Sequence, residues 1–306
     1  RPPRSTLFPY TTLFRSGVSV STIGFDTSNY TTSTAWTDGK TDINVRQILY
    51  VKDGERGIRQ SDGVFQHMKL MPVMYEKLSE QIDFKDVKAV GVSTRPRCVE
   101  GSYMPVFLAG EGYAKVVANT LGVPLYEFSH QDGHIMAGIY SSGSFELLEN
   151  DFISVHLSGG TTEILKSRYN GFYFDNEIIG GSKDISAGQF IDRVGVKMGL
   201  HFPAGKALEQ LALKTEKGEK LPIAVDGAYM NFSGVETKAS RMTESEKCDK
   251  SALALGVLEN VRDTLVKTIN KAMTDTNTHR VLIVGGVASN GIIRNGLTKK
   301  LDGDVY

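Results

Sequence analysis

Short apolar runs alternate along the chain with segments in which apolar residues recur at the spacing of an α-helix. The first run begins at Ile23 and ends in the polar residues Asp26, Thr27 and Ser28, and the β-rich segment 31–36 follows it, which predicts a β-hairpin. Strands are also predicted over 87–93, 124–128 and 281–286, and helices over 64–80, 106–121, 130–140 and about 185–199. This alternation indicates parallel or mixed sheets in an α/β protein.

The first hairpin is repeated later in the chain. When the segment that begins at Ile23 is aligned without gaps with the segment that begins at Ile153, Ser28 aligns with Ser158 and Asp26 with His156. Both segments read as a strand, a small polar loop and a second strand. A period of about 130 residues is far longer than that of a solenoid repeat. The match predicts a duplicated α/β lobe, and a chance similarity of two short segments is the alternative.

Composition and charge exclude several classes of protein. The chain has 306 residues, enough for two modest lobes, and its formal net charge is zero, so no global field draws it to nucleic acid or membrane. No apolar run approaches the ~20 residues of a membrane helix. Cys98 and Cys248 lie far apart and predict neither a disulfide framework nor a metal pair, which is typical of the reducing cytosol and favours a cytoplasmic protein.

The two ends of the chain differ from the rest. Residues 6–16 resemble a sequencing-adapter oligonucleotide translated in frame, so we expect 1–20 to be non-native; a signal peptide is the alternative, which Pro9 fits poorly. We predict a first lobe over 21–128 and a second lobe over 129–306 that contains a largely helical insertion. Because the last residues enter a new strand and stop, we expect the C-terminal end of the second lobe to be missing.

Glycine-rich and hydroxyl-rich turns follow three of the predicted strands. The segment from Ser158 to Thr162 contains two glycines, and such a turn forms a concave site for anions. Asp26 offers a carboxylate that could hold magnesium or orient water, and Gly285 and Gly286 form a third polar edge. One such turn alone is usually only a turn, but ligands of open α/β sheets bind at strand ends of this kind.

Two histidines are spaced to share one face of a helix. His130 and His134 lie four residues apart just after a predicted strand, so both imidazoles can reach one metal ion. Ser129 is the expected N-cap and Asp132 a supporting carboxylate. His156 is a candidate third ligand, and imidazole ligands favour zinc or iron over magnesium. The alternative is two unrelated histidines near a helix start.

The helix predicted over about 185–199 has one stripe of small residues with a single carboxylate, formed by Gly188, Asp192, Gly195 and Gly199. Such a face lets a flat ligand approach, with Asp192 bonded to ribose hydroxyls, or it lets another part of the chain pack closely; both interpretations stay open. Gly205 lies in a tight loop after this helix, with Glu209 one turn beyond it.

The order of these motifs resembles a known family. Asp-Thr-Ser, His-x-x-Gly-His, Ser-Gly-Gly-x-Thr, Ala-Gly-x-x-x-Asp, Phe-Ser-Gly and Gly-Gly-Val-x-x-Asn follow one another over about residues 21–306. That order is similar to the Gcp/TsaD family of tRNA threonylcarbamoyladenosine transferases, once classed as glycoproteases. The resemblance implies two duplicated actin-like lobes of the ASKHA, ribonuclease-H-like type, with the ligand cleft between them.

The resemblance also implies site residues. A divalent metal, iron or zinc, would be bound by His130, His134 and His156, and Asp26 and Ser28 are the candidate catalytic residues. The residues implied to bind the nucleotide, which would be threonylcarbamoyl-AMP, ATP or AMP with magnesium as a further ion, are His156, Leu157, Ser158, Gly159, Gly160, Asp192, Gly205, Glu209 and Asn290.

The implied reaction moves threonylcarbamoyl from threonylcarbamoyl-AMP to the exocyclic amine of the adenine next to the tRNA anticodon, and AMP leaves. The metal would polarise the carbamoyl carbonyl or hold the threonyl part, and the loops would stabilise the departing phosphate. The implied partners are tRNA, a TsaB-like paralogue and a TsaE-like ATPase.

Several positions depart from the family pattern. Arg95 and Arg97 stand in a stretch that is usually Gly-Pro-Gly, Glu236 replaces a lysine, and Asp132 replaces the glutamate of the histidine motif. The family's final Asp-Asn motif, which supplies a metal ligand, is absent because the chain stops at Tyr306. These departures indicate a divergent paralogue.

Three other functions stay open. A non-catalytic paralogue that acts as a partner or scaffold would explain Arg95, Arg97 and Glu236, although a pure scaffold has no need of the histidine pair. The second is metallopeptidase activity, but the chain has no glutamate at the general-base position of a His-Glu-x-x-His helix. A small-molecule kinase is allowed by the fold, and its phosphate release would depend on a sugar rather than on tRNA.

Overall fold

A computed structural model describes residues 21–28, 30–51 and 58–306. The segment expected to be adapter-derived, 1–20, lies outside the described residues. The chain divides into two compact units, one up to Gly133 together with Asn170–Phe174, and the other formed by His134–Tyr169 with Asp175–Tyr306. In the described part of the chain no helix is long and apolar enough to cross a membrane.

The first unit is built on a mixed sheet. Its described elements are β1 (Ser21–Asp26), β2 (Thr31–Thr37), β3 (Asp42–Ile48), α1 (Gln60–Ser79), β4 (Val87–Arg95), α2 (Phe107–Leu121) and β5 (Leu125–Ser129), after which α3 (His130–Ser142) begins. The described strands are ordered β3-β2-β1-β4-β5. β1 is antiparallel to β2 and parallel to β4, and β4 is parallel to β5, as the predicted mixture of hairpin and crossovers requires.

The core of the first unit lies on one face of this sheet. Alternate residues of β1 point inward, so Ile23 and Phe25 are buried, and they pack with Met71 of α1 and Ala114 of α2. Burying an aliphatic or aromatic side chain of this size stabilises the fold by about 1.5–3 kcal/mol. The segment Asn170–Phe174 belongs to this unit because the ring of Phe172 lies 5.9 Å from Tyr126 and 5.6 Å from Phe128.

The second unit contains the larger sheet and most of the helices. Its described elements after α3 are β6 (Phe152–Leu157), β7 (Thr162–Tyr169), β8 (Phe174–Ser182), α4 (Ala187–Lys197), α5 (Gly205–Ala212), β9 (Val225–Asp226), β10 (Tyr229–Met230), α6 (Ser233–Met242), α7 (Lys250–Thr276), β11 (Arg280–Val284), α8 (Gly291–Lys300) and β12 (Asp304–Val305). The described strands are ordered β12-β11-β6-β7-β8-β10-β9. The helical region predicted from 185 is interrupted by the short strands β9 and β10.

The two hairpins β1–β2 and β6–β7 pair in the same register. Phe25 pairs with Thr34 in the first hairpin, and Val155 pairs with Ile164 in the second, which are the positions that the alignment of Ile23 with Ile153 requires. β6 is also parallel to β11, as β1 is to β4, and β11 is parallel to β12, as β4 is to β5. The predicted repeat is therefore a repeat of strand order, direction and register.

The helix predicted to run to about residue 199 ends earlier. α4 ends at Lys197, and Gly199 adopts a left-handed backbone with φ of 91°. The N–H of Leu200 then donates to the carbonyl of Gly195 at 3.0 Å. A left-handed glycine closes a helix in this way because it has no Cβ to clash. Gly199 therefore terminates the helix and does not belong to its stripe of small residues.

Candidate functional site

In the first unit, the carboxylate of Asp26, the last residue of β1, forms a hydrogen bond with His130. Oδ2 of Asp26 lies 2.8 Å from Nδ1 of His130, and Oδ1 accepts the backbone N–H of Ser28 at 2.7 Å. Burial alone would raise the pKa of Asp26. The hydrogen bond and charge of His130, with further hydrogen bonds from Ser93 and Ser28, outweigh burial and hold the pKa of that carboxyl well below its usual range. The carboxylate is therefore kept ionised beside the imidazole.

Thr27 anchors the same loop to α2. Its hydroxyl donates to the carbonyl of Val106 at 2.8 Å and accepts the N–H of Gly110 at 3.0 Å. A Cβ at Gly110 would lie 2.9 Å from the Thr27 hydroxyl, so the close approach requires glycine. The sequence marked Thr27 only as part of a polar motif, because its partners are about 80 residues away in the chain.

The start of α3 is held by a reciprocal pair. The predicted N-cap is confirmed: the Ser129 hydroxyl accepts the N–H of Asp132 at 3.0 Å, and the Asp132 carboxylate accepts both the N–H and the hydroxyl of Ser129. The other carboxylate oxygen of Asp132 accepts the N–H of Phe174 at 3.2 Å. Asp132 therefore fixes the backbone on which His130 is presented.

The three candidate metal ligands are placed by α3 and β6. α3 carries His130 and His134 one turn apart, and the ring of His134 lies 5.9 Å from that of His156, edge to face. Within residues 21–28, 30–51 and 58–306, no group of three or more His, Cys, Asp or Glu side chains is arranged to hold a metal ion. The carboxylate on Nδ1 of His130 is the support that metal-binding imidazoles commonly have. The ligand set stays a prediction.

In the second unit, the loop between β6 and β7 is a tight glycine turn. The Ser158 hydroxyl accepts the N–H of Thr161 at 2.9 Å, and the Ser158 N–H donates to the Thr161 carbonyl at 2.9 Å. Gly159 and Gly160 are exposed at the tip. The turn therefore presents open backbone at the carboxyl end of a buried strand, which is the arrangement that anion-binding loops share.

The N-terminus of α4 packs directly on this loop. Ser186 forms a capping box with Gln189 and donates its hydroxyl to the Gly159 carbonyl at 2.8 Å. A Cβ at Gly188 would lie 2.5 Å from the Ser158 carbonyl oxygen. At the far end of the helix, a Cβ at Gly195 would meet that of Ala204 at 2.4 Å. Close packing therefore accounts for both glycines of the stripe.

The glycine turn at 285–286 lies beside the glycine turn at 158–160. β11 pairs with β6 so that Val284 is opposite His156, and Gly285 follows with φ of 106°. A Cβ at Gly285 would lie 2.4 Å from the Leu157 carbonyl oxygen. Two loops predicted separately, 158–160 and 285–286, thus extend from neighbouring strands of one sheet.

The predicted ribose- and adenine-binding residues hold the N-termini of two helices. Asp192 accepts the N–H of Ala204 at 2.8 Å, just before α5, and Glu209 accepts the N–H of Gly291 at 2.6 Å, at the start of α8. Burial raises the pKa of Asp192, and bonds from the amides of Ala204 and Gly205 oppose that rise. Asn290 is the N-cap of α8, where it accepts from Ile292 and Ile293.

One long-range contact, made by Asp184, was not predicted from the sequence. Asp184 accepts the backbone N–H groups of Phe232 at 2.8 Å and Ser233 at 2.9 Å, and the Ser233 hydroxyl as well, so it holds the N-terminus of α6. Burial is the largest single influence and raises the pKa of Asp184, but the bonds from Ser233, Phe232 and Ile185 together outweigh it and lower the pKa to about 2. No local signal links residues that are 48 positions apart.

The departures from the family pattern lie in defined surroundings. Arg95, at the end of β4, donates to the Thr94 hydroxyl at 3.2 Å and lies 3.6 Å from the Cys98 sulfur. Glu236, in the first turn of α6, accepts the Ser240 hydroxyl at 2.7 Å. Neither side chain forms an ion pair within the part of the chain that the structure describes.

Comparison with known sequences gives a consistent result. The family model TsaD, described as tRNA N6-adenosine threonylcarbamoyltransferase, matches residues 56–306. A protein of that name from Thermus thermophilus is 31% identical over 276 residues, which cover 88% of this chain and 81% of the relative. Another, from Christiangramia forsetii, is 30% identical over 242 residues, covering 74% of this chain and 68% of the relative.

Solved structures share the architecture. HypF from T. kodakarensis superposes with a TM-score of 0.59 at 13% identity, covering 95% of this chain and 45% of that one. Component A of (R)-2-hydroxyglutaryl-CoA dehydratase from Acidaminococcus fermentans gives a TM-score of 0.50 at 14% identity, covering 94% and 92%. At such identities the likeness concerns the fold alone, and it confirms the predicted α/β fold with duplicated actin-like lobes.

Proposed function

This chain belongs to the TsaD family of tRNA N6-adenosine threonylcarbamoyltransferases, and we propose that it transfers threonylcarbamoyl from threonylcarbamoyl-AMP to the adenine next to the tRNA anticodon. The observation that best supports this reaction is the cluster of open loops and helix N-termini in the second unit. Loops 158–160 and 285–286 extend from neighbouring strands, and the N-terminus of α4 packs on the first of them. Such a cluster suits the phosphate of an adenylate.

The phosphate end of the donor would be held by backbone. Gly159 and Gly160 lack side chains and are exposed, so an anion can approach their backbone closely and replace the long bond of 3.3 Å from the Gly160 amide to the Ser158 hydroxyl. The N-terminus of α4, packed against Gly159 through Ser186, adds the positive end of a helix dipole. These groups would stabilise the charge that develops on the phosphate as AMP departs.

The nucleoside end would be held by the side chains at α5 and α8. Glu209 uses Oε1 for the Gly291 amide, so Oε2 is available for a ribose hydroxyl. Asp192, fixed by the amides before α5, would contribute a second acceptor. Asn290 and Gly205 would lie at the adenine and ribose respectively. Because each carboxylate is already fixed by an amide, little side-chain entropy is lost when the nucleotide binds.

A divalent metal would be held by His130 and His134, which one helix carries a turn apart. Imidazole donors fit iron or zinc, and such an ion would polarise the carbamoyl carbonyl. Asp26 would orient His130 through Nδ1 and keep Nε2 toward the ion. His156 as third ligand and Ser28 as a catalytic residue stay predictions, as do magnesium, the TsaB-like paralogue and the TsaE-like ATPase.

The second candidate function is that of a non-catalytic paralogue in the same complex. It is favoured by Arg95, a bulky cation at the end of β4 where the family usually has glycine. Such a protein would bind the nucleotide and its partners without transferring the threonylcarbamoyl group.

The deciding experiment measures transfer of labelled threonylcarbamoyl to unmodified tRNA, with and without TsaB-like and TsaE-like partners, and quantifies bound iron and zinc. We expect labelled tRNA, lost together with the metal in His130→Ala/His134→Ala. His279→Ala is the matched control because His279 is exposed. Bound nucleotide without any labelled tRNA would instead establish the non-catalytic paralogue.

A further inference from the structure

β3 forms one edge of the sheet in the first unit. It is the last strand in the order β3-β2-β1-β4-β5, and the described part of the chain adds no strand beyond it. At one end of the β2–β3 pair the Leu49 N–H donates to the Tyr30 carbonyl at 2.8 Å. At the other end the Thr41 carbonyl accepts the Asp38 N–H at 3.3 Å. Because backbone direction alternates along an antiparallel strand, the odd-numbered residues of β3 bond to β2 and the even-numbered residues face the outer edge.

A side chain of α1 confirms this direction just after β3 ends. The N–H of Tyr50 donates to Oε1 of Gln66 at 2.8 Å, and the Tyr50 carbonyl accepts from Nε2 of Gln66 at 3.0 Å. Tyr50 therefore directs both backbone groups away from β2, and the amide of Gln66 occupies them as a neighbouring strand would. The backbone groups of Asn44 and Arg46 face the same edge, and the described residues supply no such partner to them.

The side chains of β3 are arranged symmetrically about its centre. Ile43 and Val45 are partly buried against the core of the first unit, whereas Asp42, Asn44 and Arg46 are exposed. Along the exposed face the order is anion, amide, cation, with the two charged residues equally distant from Asn44. A strand with this order is complementary to a reversed copy of itself, because each carboxylate then lies opposite a guanidinium.

We propose that β3 pairs antiparallel with β3 of a second copy of this chain, in the register that places Asn44 opposite Asn44. In this register Asp42 lies opposite Arg46 twice, once on each side of the twofold axis. The three even-numbered residues exchange backbone N–H and carbonyl bonds with the second copy, and Ile43 meets Val45 between them. The edge of the sheet is thereby covered in both copies.

Charge selects this register over its neighbours. A pairing centred on Arg46 would bring two guanidinium groups together, and like charges directly opposite each other destabilise a strand pair. A pairing centred on Val45 would place Asp42 opposite Ile48 and Arg46 opposite an amide, so neither charge would meet its opposite. The symmetric spacing of the two charges about Asn44 fits a second copy of the chain, whereas an unrelated strand would have no reason to match it.

The test measures self-association of the whole chain by sedimentation equilibrium. We expect a dimer for the parent protein and a monomer for Asn44→Pro at the same concentration. The N–H of Asn44 faces away from β2, so proline removes the central donor of the pairing and leaves the β2–β3 ladder intact. Circular dichroism checks that the variant is folded. Asn44→Thr, which keeps the N–H, is the matched control and should dimerise like the parent. A monomeric parent or a folded, dimeric Asn44→Pro would overturn the proposal.

A charge exchange tests the pairing without altering the backbone. Arg46→Glu is expected to weaken the dimer about tenfold, because carboxylates then face each other at both symmetric positions. Adding Asp42→Lys to the same chain restores opposite charges and should recover most of the lost affinity. A double variant that associates no better than Arg46→Glu would overturn the register.

Cysteine crosslinking tests the same register directly. In the proposed pair the two Cα atoms at position 44 are about 5.5 Å apart, which a disulfide can span, so Asn44→Cys should give a covalent dimer under mild oxidation. Ile48→Cys is the control. Ile48 is 73% exposed, but the register places it about 27 Å along the strand from its copy. Equal crosslinking of both variants, or none above the parent chain with Cys98 and Cys248, would contradict the pairing.

These measurements are independent of the proposed function. A parent protein that dimerises through β3 but labels no tRNA would contradict the transferase and leave the pairing in place. A monomeric parent that labels tRNA would contradict the pairing and leave the transferase in place.

Discussion

The matching hairpins of the two units, β1–β2 and β6–β7, carry different functional groups. Asp26 in the first unit and His156 in the second occupy matching positions of β1 and β6. Asp26 itself supplies a carboxylate that binds an imidazole, whereas the loop after His156 contains two glycines that expose backbone. The two hairpins therefore share one register, whereas their strand ends differ: one carries a carboxylate–imidazole pair and the other the proposed anion site.

The first strand of each hairpin is also buried differently. Alternate residues of β1 are buried, while every residue of β6 is buried. A strand covered on both faces tolerates less displacement, because any shift moves side chains of two cores. In each unit a helix glycine packs on the loop after this strand, Gly110 on Thr27 and Gly188 on Ser158. These two glycines allow the comparison to be tested.

Gly188→Ala should have the largest effect on stability. The new Cβ would lie 2.5 Å from a carbonyl oxygen and 2.6 Å from the Cα of Gly159, and backbone cannot rotate away as a side chain can. We expect a loss of about 3 kcal/mol, measured by urea unfolding. Nucleotide binding should weaken as well, because the loop that moves is the proposed phosphate site. A loss no greater than that of Gly110→Ala would contradict the difference drawn between the two loops.

Acid should destabilise the first unit through His67. This residue is fully buried, with Nδ1 2.7 Å from the Thr32 hydroxyl and no hydrogen-bond partner for Nε2 among the described residues. Burial lowers the pKa of His67 to about 4, against an opposing effect of Asp26. Between about pH 6.5 and 4 the unfolded chain therefore binds a proton that the folded chain does not, so stability falls as pH falls, by about 2–3 kcal/mol.

Amide exchange as a function of pH would locate this effect. Faster exchange should appear first in β2 and α1, which carry Thr32 and His67. His67→Gln should flatten the pH dependence, while the exposed His279→Gln should leave it unchanged. An equal acid response in the second unit would show that His67 is not its source.

Asp26→Asn should weaken metal binding and also lower the stability of the first unit, because the fold favours the ionised carboxylate. The neutral amide can still accept a hydrogen bond from His130 but no longer supplies the charge that orients and polarises the ring. We expect at least a tenfold rise in the metal Kd, measured by competition with a chelator. Asp62→Asn, at an exposed position of α1, is the control. An unchanged Kd would remove Asp26 from the metal site.

Gly110→Ala should have the smallest effect. Its Cβ would lie 2.9 Å from the Thr27 hydroxyl, and a rotation of Thr27 that relieves this contact breaks the hydrogen bonds to Val106 and Gly110, so we expect a loss of about 1–2 kcal/mol. Gly112→Ala on the same helix meets nothing within 4 Å and should instead stabilise by ~0.5–1 kcal/mol. Thermal unfolding of both variants would show whether each one loses or gains stability. A loss of stability in Gly112→Ala would point to helix effects unrelated to Thr27.

Much of the fold was predictable because its signals are local. The alignment of Ile23 with Ile153 anticipated the shared register, and the N-cap predicted at Ser129 anticipated the start of α3. The small-residue stripe could not be interpreted from sequence. The residues of a helix face do not show which group packs against that face. The structure shows that Ser158 packs against Gly188 and Ala204 against Gly195.

The sequence by itself predicted the first hairpin, several of the other strands and helices, the repeat and the family, because alternation, helical spacing and motif order are properties of neighbouring residues. Only the tertiary structure decided which groups meet across long separations. Asp26 meets His130 across 104 residues, Glu209 meets Gly291 across 82, and Asp184 meets Ser233 across 49. The physical reason is that these partners are far apart along the chain, so that only the folded backbone brings them within hydrogen-bonding distance.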